Sequence, residues 1–281
     1  LKLRETDIPP SFVLRKLASL MADIGTFMPK SRGASPEDIA KARDLIEKFK
    51  EEHGFLEPDR GDLDAPGISW KNGKPNYTVA NYTYMLGKSK HHAAGSLELI
   101  VENLVKTWEM EATHKPFEEW QTVDQGTYTV SANGGQTFQG EVAASMGNYN
   151  TLMYGCEKAL YDSEKETFES SHTHFQEAFP HGFPWEVLEV FAGPPKVCFS
   201  WRHWANFAGK YAGHEGKGEI VELTGFAVVN LVGMKVSSLE IFYDPNGFLR
   251  VLRGEKAAEE LKTSGAARGG PLTGGCPFKH A

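Results

Sequence analysis

The sequence predicts an α+β fold in which helices come first and a strongly bent antiparallel sheet follows. Amphipathic helical patterns dominate the chain up to Pro116, and strand-like patterns dominate after it. The strand candidates are joined by short or hairpin-like links, among them a turn at Gly233. Strands grouped after helices in this way are typical of α+β domains.

Residues 1–73 are predicted as a helical extension followed by a connector. The segment Ser11–Ile24 is moderately amphipathic. A second helix has a capping residue at Ser35 and a proline at its first position, Pro36, and it ends at Gly54. The stretch after this helix is rich in Asp, Gly and Pro, a composition typical of a surface connector.

The main helix is predicted from Ser96 to about His114. Its apolar residues recur at steps of three and four, as expected for one buried helix face: Leu97, Ile100, Leu104 and Trp108. The same steps continue to Glu111 and then to His114. Because burying an unpaired carboxylate or imidazole costs several kcal/mol, these two groups must be paired or must face a pocket. The pattern therefore predicts a cavity with a polar floor.

The remaining elements are predicted from strand-like and short helical patterns. In chain order they are a short element at Tyr77–Met85, a strand at Tyr128–Ser131, a short helix at Glu141–Asn148, and strands at Phe168–Phe175, Trp185–Phe191, Lys196–Trp204, Glu219–Leu231 and Val236–Tyr243. Together they define a domain over residues 74–254. Residues 255–281 are rich in Ala, Gly, Lys and Glu and are predicted to form a flexible tail.

Composition limits the classes of partner. The chain has 281 residues and a formal net charge of −7, which gives no electrostatic reason to expect nucleic acid or anionic lipid as a partner. No apolar run approaches the ~20 residues that a membrane-spanning helix needs. The three cysteines match no zinc or disulfide spacing, which favours a reducing compartment, and we expect a cytoplasmic protein.

Two histidines are the first candidates for chemistry. His172 and His174 are two residues apart in a predicted strand, so they would share one face with Phe168 and Ser170. On a concave face, one imidazole could accept a proton while the other donates one. The same spacing also occurs in metal sites, which Glu111 or Glu222 could complete. A third interpretation is a solvent-facing or hydrogen-bonded pair on the outside of the sheet.

Further candidates lie on the predicted strands. Lys196–Trp204 places His203 on the same side as three apolar residues: Val197, Phe199 and Trp201. This ladder fits either sheet packing or a ligand platform. Arg202, on the other side, could pair with a carboxylate or bind an acidic ligand. Glu222 and Glu240 would either pair with Arg202 or a histidine, or have a pKa raised by burial and serve as acids.

Sequence motifs exclude several reaction classes and predict no cofactor. The chain has no P-loop, no Gly-x-Gly-x-x-Gly after a strand, no Gly-x-Ser-x-Gly elbow and no His-Glu-x-x-His. Nucleotide hydrolysis, dinucleotide-dependent redox chemistry and serine hydrolysis therefore lose their usual support. The Cys276-Pro277 dipeptide resembles a haem-responsive motif, but it lies in the predicted tail and is common by chance.

Five segments resemble a known family: Leu104–Glu111, Ser170–His172, Ser200–Trp204, Gly218–Gly225 and Glu240–Asp244. They resemble the plant and fungal pathogen-related protein group, which is similar to SnoaL-like proteins of the NTF2-like superfamily. The resemblance implies a cone of helices wrapped by a curved antiparallel sheet, with a pocket inside. It also implies acid–base chemistry by His and Asp or Glu without a metal or organic cofactor.

These observations predict a cofactor-independent lyase, cyclase or isomerase that acts on a small hydrophobic or aromatic carbonyl compound. His172 or His174 would be the base, Glu111 or Glu222 the acid or orienting carboxylate, and His114 a second proton carrier. The substrate-binding residues would be Trp108, Phe199, Trp201, Arg202, His203, Glu240 and Tyr243.

Three other functions stay open at this point. The first is a non-catalytic carrier or sensor of a hydrophobic metabolite, which would have a drier cavity and scattered or paired polar groups. The second is a metal- or haem-assisted enzyme that uses the histidines. The third is an interaction protein with no enclosed cavity, for instance a homodimer formed through the sheet face, where exposed aromatic side chains would mark the partner surface.

Overall fold

The structure is a computed structural model that describes residues 27–261. The predicted helix Ser11–Ile24 and the Cys276-Pro277 dipeptide lie outside these residues. The helices are α1 (Pro36–His53), α2 (Thr78–Gly87), α3 (Leu97–His114), α4 (Gly140–Met146), α5 (Asn148–Leu152), α6 (Phe168–Ala178) and α7 (Pro245–Leu252). The strands are β1 (Thr129–Ala132), β2 (Phe138–Gln139), β3 (Trp185–Ala192), β4 (Lys196–Phe207), β5 (Lys210–Tyr211), β6 (His214–Glu215), β7 (Glu219–Val232) and β8 (Lys235–Phe242). None of the helices in this part of the chain is both long and apolar enough to cross a membrane.

Six strands form the main sheet, in the order β2-β1-β8-β7-β4-β3. The α+β prediction is confirmed. The prediction of a purely antiparallel sheet is wrong at one place, because β1 pairs with β8 in parallel. No hairpin links these two strands, so their relative direction is not fixed by a turn. Register shifts between β3 and β4 and between β7 and β8 mark irregularities of the bulge type, which bend a sheet.

Helix α3 lies against the inner face of this sheet and is fixed there by buried charged side chains. The Glu102 carboxylate accepts hydrogen bonds from the Val187 backbone N–H at 3.0 Å and from the Tyr84 hydroxyl. The Lys106 ammonium donates to the Trp185 carbonyl oxygen. Both charged side chains are almost completely buried. The helix is therefore bonded to α2 on one side and to β3 on the other.

The apolar stripe of α3 faces the core at three of its four predicted positions. Trp108 is buried and Leu97 and Leu104 pack against the core, but Ile100 is 52% exposed. The core-facing side also includes three residues outside the predicted stripe: Val101, Val105 and Ala112. The helix buries charged residues on a further face, which a search for apolar periodicity passes over.

The inner face of the sheet is made by alternate residues of the central strands. On β4 these include Phe199, Trp201 and His203, as the alternation predicted. Helix α7, which the sequence analysis missed, closes one end of the core with Phe248. Asp244 caps this helix by accepting a hydrogen bond from the Gly247 N–H at 2.8 Å.

The predicted strand Phe168–Phe175 is wrong, because these residues belong to helix α6. A capping box starts the helix: Thr167 and Ser170 each accept a hydrogen bond from the other's backbone N–H. Successive residues of a helix are rotated by about 100°, so His172 and His174 point about 200° apart and do not share a face. The alternation of Phe, Ser and His that favoured a strand is here coincidental.

The N-terminal part of the described chain covers one end of the outer sheet face. Phe49 of α1 and Tyr82 of α2 stack with ring centroids 6.1 Å apart, in a cluster that includes Trp204 of β4.

At the C-terminal end of the described chain, the predicted flexible tail begins with ordered residues: Ala258 and Leu261 are buried in the main core. The prediction of a tail from residue 255 is therefore wrong for residues 255–261.

Candidate functional site

An apolar cavity of about 110 Å³ lies between α3 and the inner face of the sheet. Its walls come from α3, α5, α7, the central strands and the segments that flank them: Val105, Trp108, Glu109, Tyr149, Leu152, Met153, Phe183, Trp185, Phe199, Trp201, His203, Leu223, Ala227, Leu239, Ile241, Tyr243 and Phe248. A smaller hollow of about 30 Å³ adjoins it and shares four walls with it: Val105, Trp108, Phe199 and Leu239. Five predicted substrate-binding residues therefore line the cavity: Trp108, Phe199, Trp201, His203 and Tyr243.

Trp201 Nε1 on this wall is buried and has no hydrogen-bond partner among residues 27–261. The His203 imidazole beside it interacts with the Pro184 backbone carbonyl, although its Nδ1 makes no hydrogen bond of full geometry. The side chains stand two residues apart on β4 and so face the same side. The Trp201 indole lies directly over Gly225, where a Cβ would come within 2.4 Å of the ring. The backbone at this point leaves room for the indole only because residue 225 is glycine.

His203 contributes a neutral imidazole to the cavity. Burial lowers its pKa to about 3, and the nearby Lys106 ammonium acts in the same direction. Its ring stacks on Phe183 with centroids 3.6 Å apart. At neutral pH, His203 therefore offers a hydrogen bond rather than a positive charge.

Glu109 is the carboxylate on the cavity wall, and the sequence analysis did not predict it. Its Oε2 lies 3.8 Å from Nη1 of Arg60. The Arg60 guanidinium stacks over the Tyr77 ring at 4.2 Å, and the Tyr77 ring meets His114 edge-on at 5.9 Å. The Glu109 carboxylate therefore belongs both to the cavity wall and to a group of polar side chains that lies outside the cavity.

We call this group the polar collar: Arg60, Lys71, Tyr77, Glu109, His114, Tyr149 and His172. Tyr149 lines the cavity and meets the His172 ring edge-on at 5.1 Å. The Lys71 backbone N–H donates to the His114 carbonyl oxygen at 2.9 Å, which ties the connector to the end of α3. The collar is therefore built from the segment between α1 and α2 and from α3, α5 and α6, beside one wall of the cavity.

His114 and His172 are brought close together, but neither lines the cavity. Burial lowers the pKa of His114 to about 4, with His172 as the largest electrostatic contribution. The pKa of His172 is also lowered, mainly by burial. Its Nδ1 lies 2.6 Å from the Phe168 carbonyl oxygen, so this nitrogen carries the hydrogen and Nε2 is left as the acceptor.

Glu111 lies away from the cavity and fixes the loop after α3. Its carboxylate accepts hydrogen bonds from the Gln121 N–H at 2.8 Å, the Thr122 N–H at 3.0 Å and the Thr122 hydroxyl at 2.6 Å. Lys115 Nζ is 3.7 Å away. The sequence correctly required Glu111 to be paired or to face a pocket, and the structure shows that it is paired.

The predicted residues of the outer sheet face also lie away from the cavity. Arg202 Nε donates to Glu222 at 2.8 Å, and Arg202 Nη1 donates to the fully buried Glu186 at 2.7 Å. Glu240 shares no wall of the cavity. The placement of Arg202, Glu222 and Glu240 at a substrate site is therefore corrected: the first two form a structural ion-pair cluster beneath α2.

His174 is 42% exposed in its side chain and lies 3.1 Å from Glu166 on the outside of α6. The proposed metal set of His172, His174 and Glu111 or Glu222 is not brought together. Between residues 27 and 261 there is no group of three His, Cys, Asp or Glu side chains placed to hold a metal ion.

The sequence analysis missed Arg60, Lys71, Tyr77, Glu109 and Tyr149. Glu109 follows the predicted wall residue Trp108 by one position, and a stripe shifted by one residue would have included it. The other four lie in segments that show no periodicity, so no comparable signal marks them.

The neutral state of His203 predicts a measurable pH dependence. In the unfolded chain His203 has a pKa near 6.5, whereas in the folded protein its pKa is about 3. At acidic pH the unfolded state therefore binds a proton that the folded state does not bind, and acid favours unfolding. Between about pH 6 and pH 4, this histidine should lower the free energy of unfolding by about 1.4 kcal/mol per pH unit. In urea unfolding, the free energy of unfolding of His203→Gln should fall less steeply with decreasing pH than that of the wild type. A His203→Gln curve parallel to the wild type would contradict the assignment.

Removing the Glu111 carboxylate should destabilise the fold. Glu111→Ala leaves the buried N–H and hydroxyl of Thr122, the half-buried Gln121 N–H and the Lys115 ammonium without their acceptor. This predicts a loss of about 3–5 kcal/mol in the free energy of unfolding. The matched change Glu118→Ala removes an exposed carboxylate and should stay within about 0.5 kcal/mol. Denaturant titration measures both, and equal effects would show that the Glu111 contacts contribute little.

No family profile matches the chain. It is 37% identical to a pathogen-related protein of Hordeum vulgare over 188 residues, which cover 64% of this chain and 80% of that protein. Among solved structures, it is similar to a proposed polyketide cyclase from Acidithiobacillus ferrooxidans (16% identity, 59% of this chain and all of the other, TM-score 0.37). It is also similar to a proposed SnoaL-like polyketide cyclase from Jannaschia (13% identity, 58% and 97%, TM-score 0.32). The relationship to the barley protein shows that this chain belongs to the pathogen-related protein family.

Proposed function

We propose that this protein binds a small, mainly apolar or aromatic molecule in its interior cavity. The observation that carries the proposal is the cavity itself, of about 110 Å³, with predominantly aromatic and aliphatic walls. An engineered apolar cavity of roughly 150 Å³ in another protein stays dry and binds benzene. A void of this kind costs packing energy, and a ligand that fills it recovers the lost contacts.

The Trp201 N–H, which has no partner among residues 27–261, would orient such a ligand. It can only donate a hydrogen bond, so it would select a ligand with an acceptor such as a carbonyl oxygen. A buried polar atom without a partner is costly, so pairing with a ligand would favour binding. A few polar groups in an apolar pocket are typical of small-molecule sites.

The arrangement favours a carrier or sensor over the catalytic set predicted from the sequence. Glu111 and Glu222 are engaged in structural contacts, and His174 lies on the outside. Only His114 and His172 come near each other, outside the cavity wall. This is the pattern expected of a binding protein: an apolar cavity with the predicted acids and bases paired or scattered.

A second candidate function is an acid–base isomerase, cyclase or lyase, and Glu109 is the observation that favours it. A carboxylate on an apolar cavity wall can take a proton from the carbon next to a ligand carbonyl. The electron pair of the broken C–H bond moves to the carbonyl oxygen, which the Trp201 N–H would stabilise. The proton on Glu109 then returns to carbon and restores the carboxylate. No cofactor enters this cycle.

Ligand binding is tested with toluene as the probe. At ten times its Kd, toluene should raise the free energy of unfolding by about 1.4 kcal/mol and quench the tryptophans of the cavity wall. Ala227→Leu places a larger side chain in the cavity and should abolish both effects. Val228→Leu, the neighbouring change on the other face of β7, should leave them intact. Equal loss in both variants, or no effect of toluene on the wild type, would contradict the proposal.

The catalytic candidate is tested by proton exchange. The wild-type protein should accelerate exchange of the methyl protons of acetophenone with D₂O, followed by NMR. Glu109→Gln should slow this exchange by about 10²-fold or more while acetophenone affinity stays within threefold. Glu98→Gln, at the far end of α3, is the control. Exchange at the buffer rate in the presence of wild-type protein would contradict the catalytic candidate and leave the binding proposal standing.

A further inference from the structure

We infer that the ligand of the cavity is a carbonyl compound with a ring at one end and an unbranched alkyl tail at the other. The ring and the carbonyl group would lie in the cavity, and the tail would extend into the smaller hollow beside it. This inference rests on the proposed function, because it requires a ligand in the cavity. It adds the shape and direction of that ligand and the residues that limit the length of its tail.

The two hollows follow one another along strand β4. Its inner-face residues line them in turn: Trp201 lines the cavity, Phe199 lines both hollows, and Val197 lines only the smaller one. From Trp201 to Val197 the strand extends by about 13 Å, because each residue of a strand adds about 3.3 Å. The two hollows therefore form an elongated site, longer than a single aromatic ring.

The elements that face or flank β4 repeat this order. On β7, Ala227 lines the cavity and Val229 lines the smaller hollow, and Ala227 is paired with Phe199, where the two hollows meet. On α3, Glu109 lines the cavity and Val101 lines the smaller hollow. Because the single methyl group of Ala227 takes up little space, the junction between the hollows is formed mainly by the side chains that both share.

The two ends of this site differ in chemistry. The cavity has mainly aromatic walls, and it also carries the Trp201 N–H, the His203 imidazole and Glu109. In the smaller hollow, the Trp108 N–H already donates to the Tyr128 hydroxyl at 3.0 Å. The residues that line only the smaller hollow are aliphatic: Val101, Leu104, Val197, Val229 and Val236. A carbonyl group at that end would lose its water without gaining a partner, so the alkyl tail is the part that fits there.

The smaller hollow also sets a limit on the tail. Its volume is about 30 Å³, whereas one water molecule needs roughly 10–15 Å³ measured in this way. It therefore accommodates about two or three groups of the size of water, such as methylene and methyl groups. An unbranched tail meets this limit, and a second ring does not.

A series of phenyl ketones tests the inference: acetophenone, propiophenone, butyrophenone and hexanophenone. In NMR or fluorescence titrations, affinity should rise about fourfold with each CH₂ group from acetophenone to butyrophenone. Hexanophenone, whose tail exceeds the smaller hollow, should bind no more tightly than butyrophenone.

Two variants at one position should move this limit in opposite directions. Val229→Ala enlarges the smaller hollow, so hexanophenone should bind at least threefold more tightly than butyrophenone. Val229→Leu reduces the hollow, so butyrophenone should bind at least threefold more weakly than it does to the wild type. Acetophenone, which does not reach the hollow, should stay within twofold in both variants. Val228→Ala, on the other face of β7, is the control and should keep the wild-type order.

Failure of this inference is distinguishable from failure of the proposed function. If toluene binds but the ketones do not, or if affinity falls from acetophenone to propiophenone, the inference is overturned and the cavity proposal stands. The same holds if affinity rises through hexanophenone in the wild type, or if the Val229 variants change acetophenone and butyrophenone alike. If neither toluene nor any ketone binds, the proposed function itself fails. Should Val229→Leu not fold, Val229→Ala alone decides, because a limit that does not move in it overturns the inference.

Discussion

The architecture depends on how α3 is held above the sheet. Three of its charged residues, Glu102, Lys106 and Glu111, are buried. Glu102 bonds to α2 and β3, Lys106 bonds to β3, and Glu111 bonds to the loop at Thr122. Burying such groups is costly unless every one is paired, so these contacts admit few alternative positions of the helix. The burial of Lys106 lowers its pKa to about 8, yet its ammonium keeps a carbonyl partner.

The cavity follows from this constraint. Polar contacts at Glu102 and Lys106 hold α3 against the edge strand β3, and the side of the helix that carries Trp108 and Glu109 faces the central strands across the cavity. Bulky aromatic side chains then line the interior from both sides and leave a hollow between them. The same constraint brings the end of α3 against the connector at Lys71, which places His114 and its neighbours at the collar. Structure and proposed function therefore share one cause: a helix fixed by polar groups rather than by apolar packing alone.

The sequence predicted the architecture better than the site. Strand alternation correctly placed Phe199, Trp201 and His203 on one face, and capping signals correctly bounded α1, because both features are local. The prediction of the site failed where a residue's role depends on contacts with residues that are distant in the sequence. From the sequence, Glu111 could either form the floor of a cavity or bind the loop after α3. Only the position of Thr122 in the folded chain shows that it binds the loop. His172 and His174 were misplaced because an alternation of period two prevailed over the helix signals of Thr167 and Phe175.

The most direct test of the account is a crystal structure of the protein under xenon pressure. Xenon enters apolar hollows and needs no polar recognition, so it reports on the cavity independently of any particular ligand. The account predicts a xenon atom between Trp108, Phe199 and Leu239, with α3 in the position described. An interior without xenon, in which the Phe199 or Trp201 side chain fills the space, would contradict the central claim that a hollow remains between α3 and the central strands.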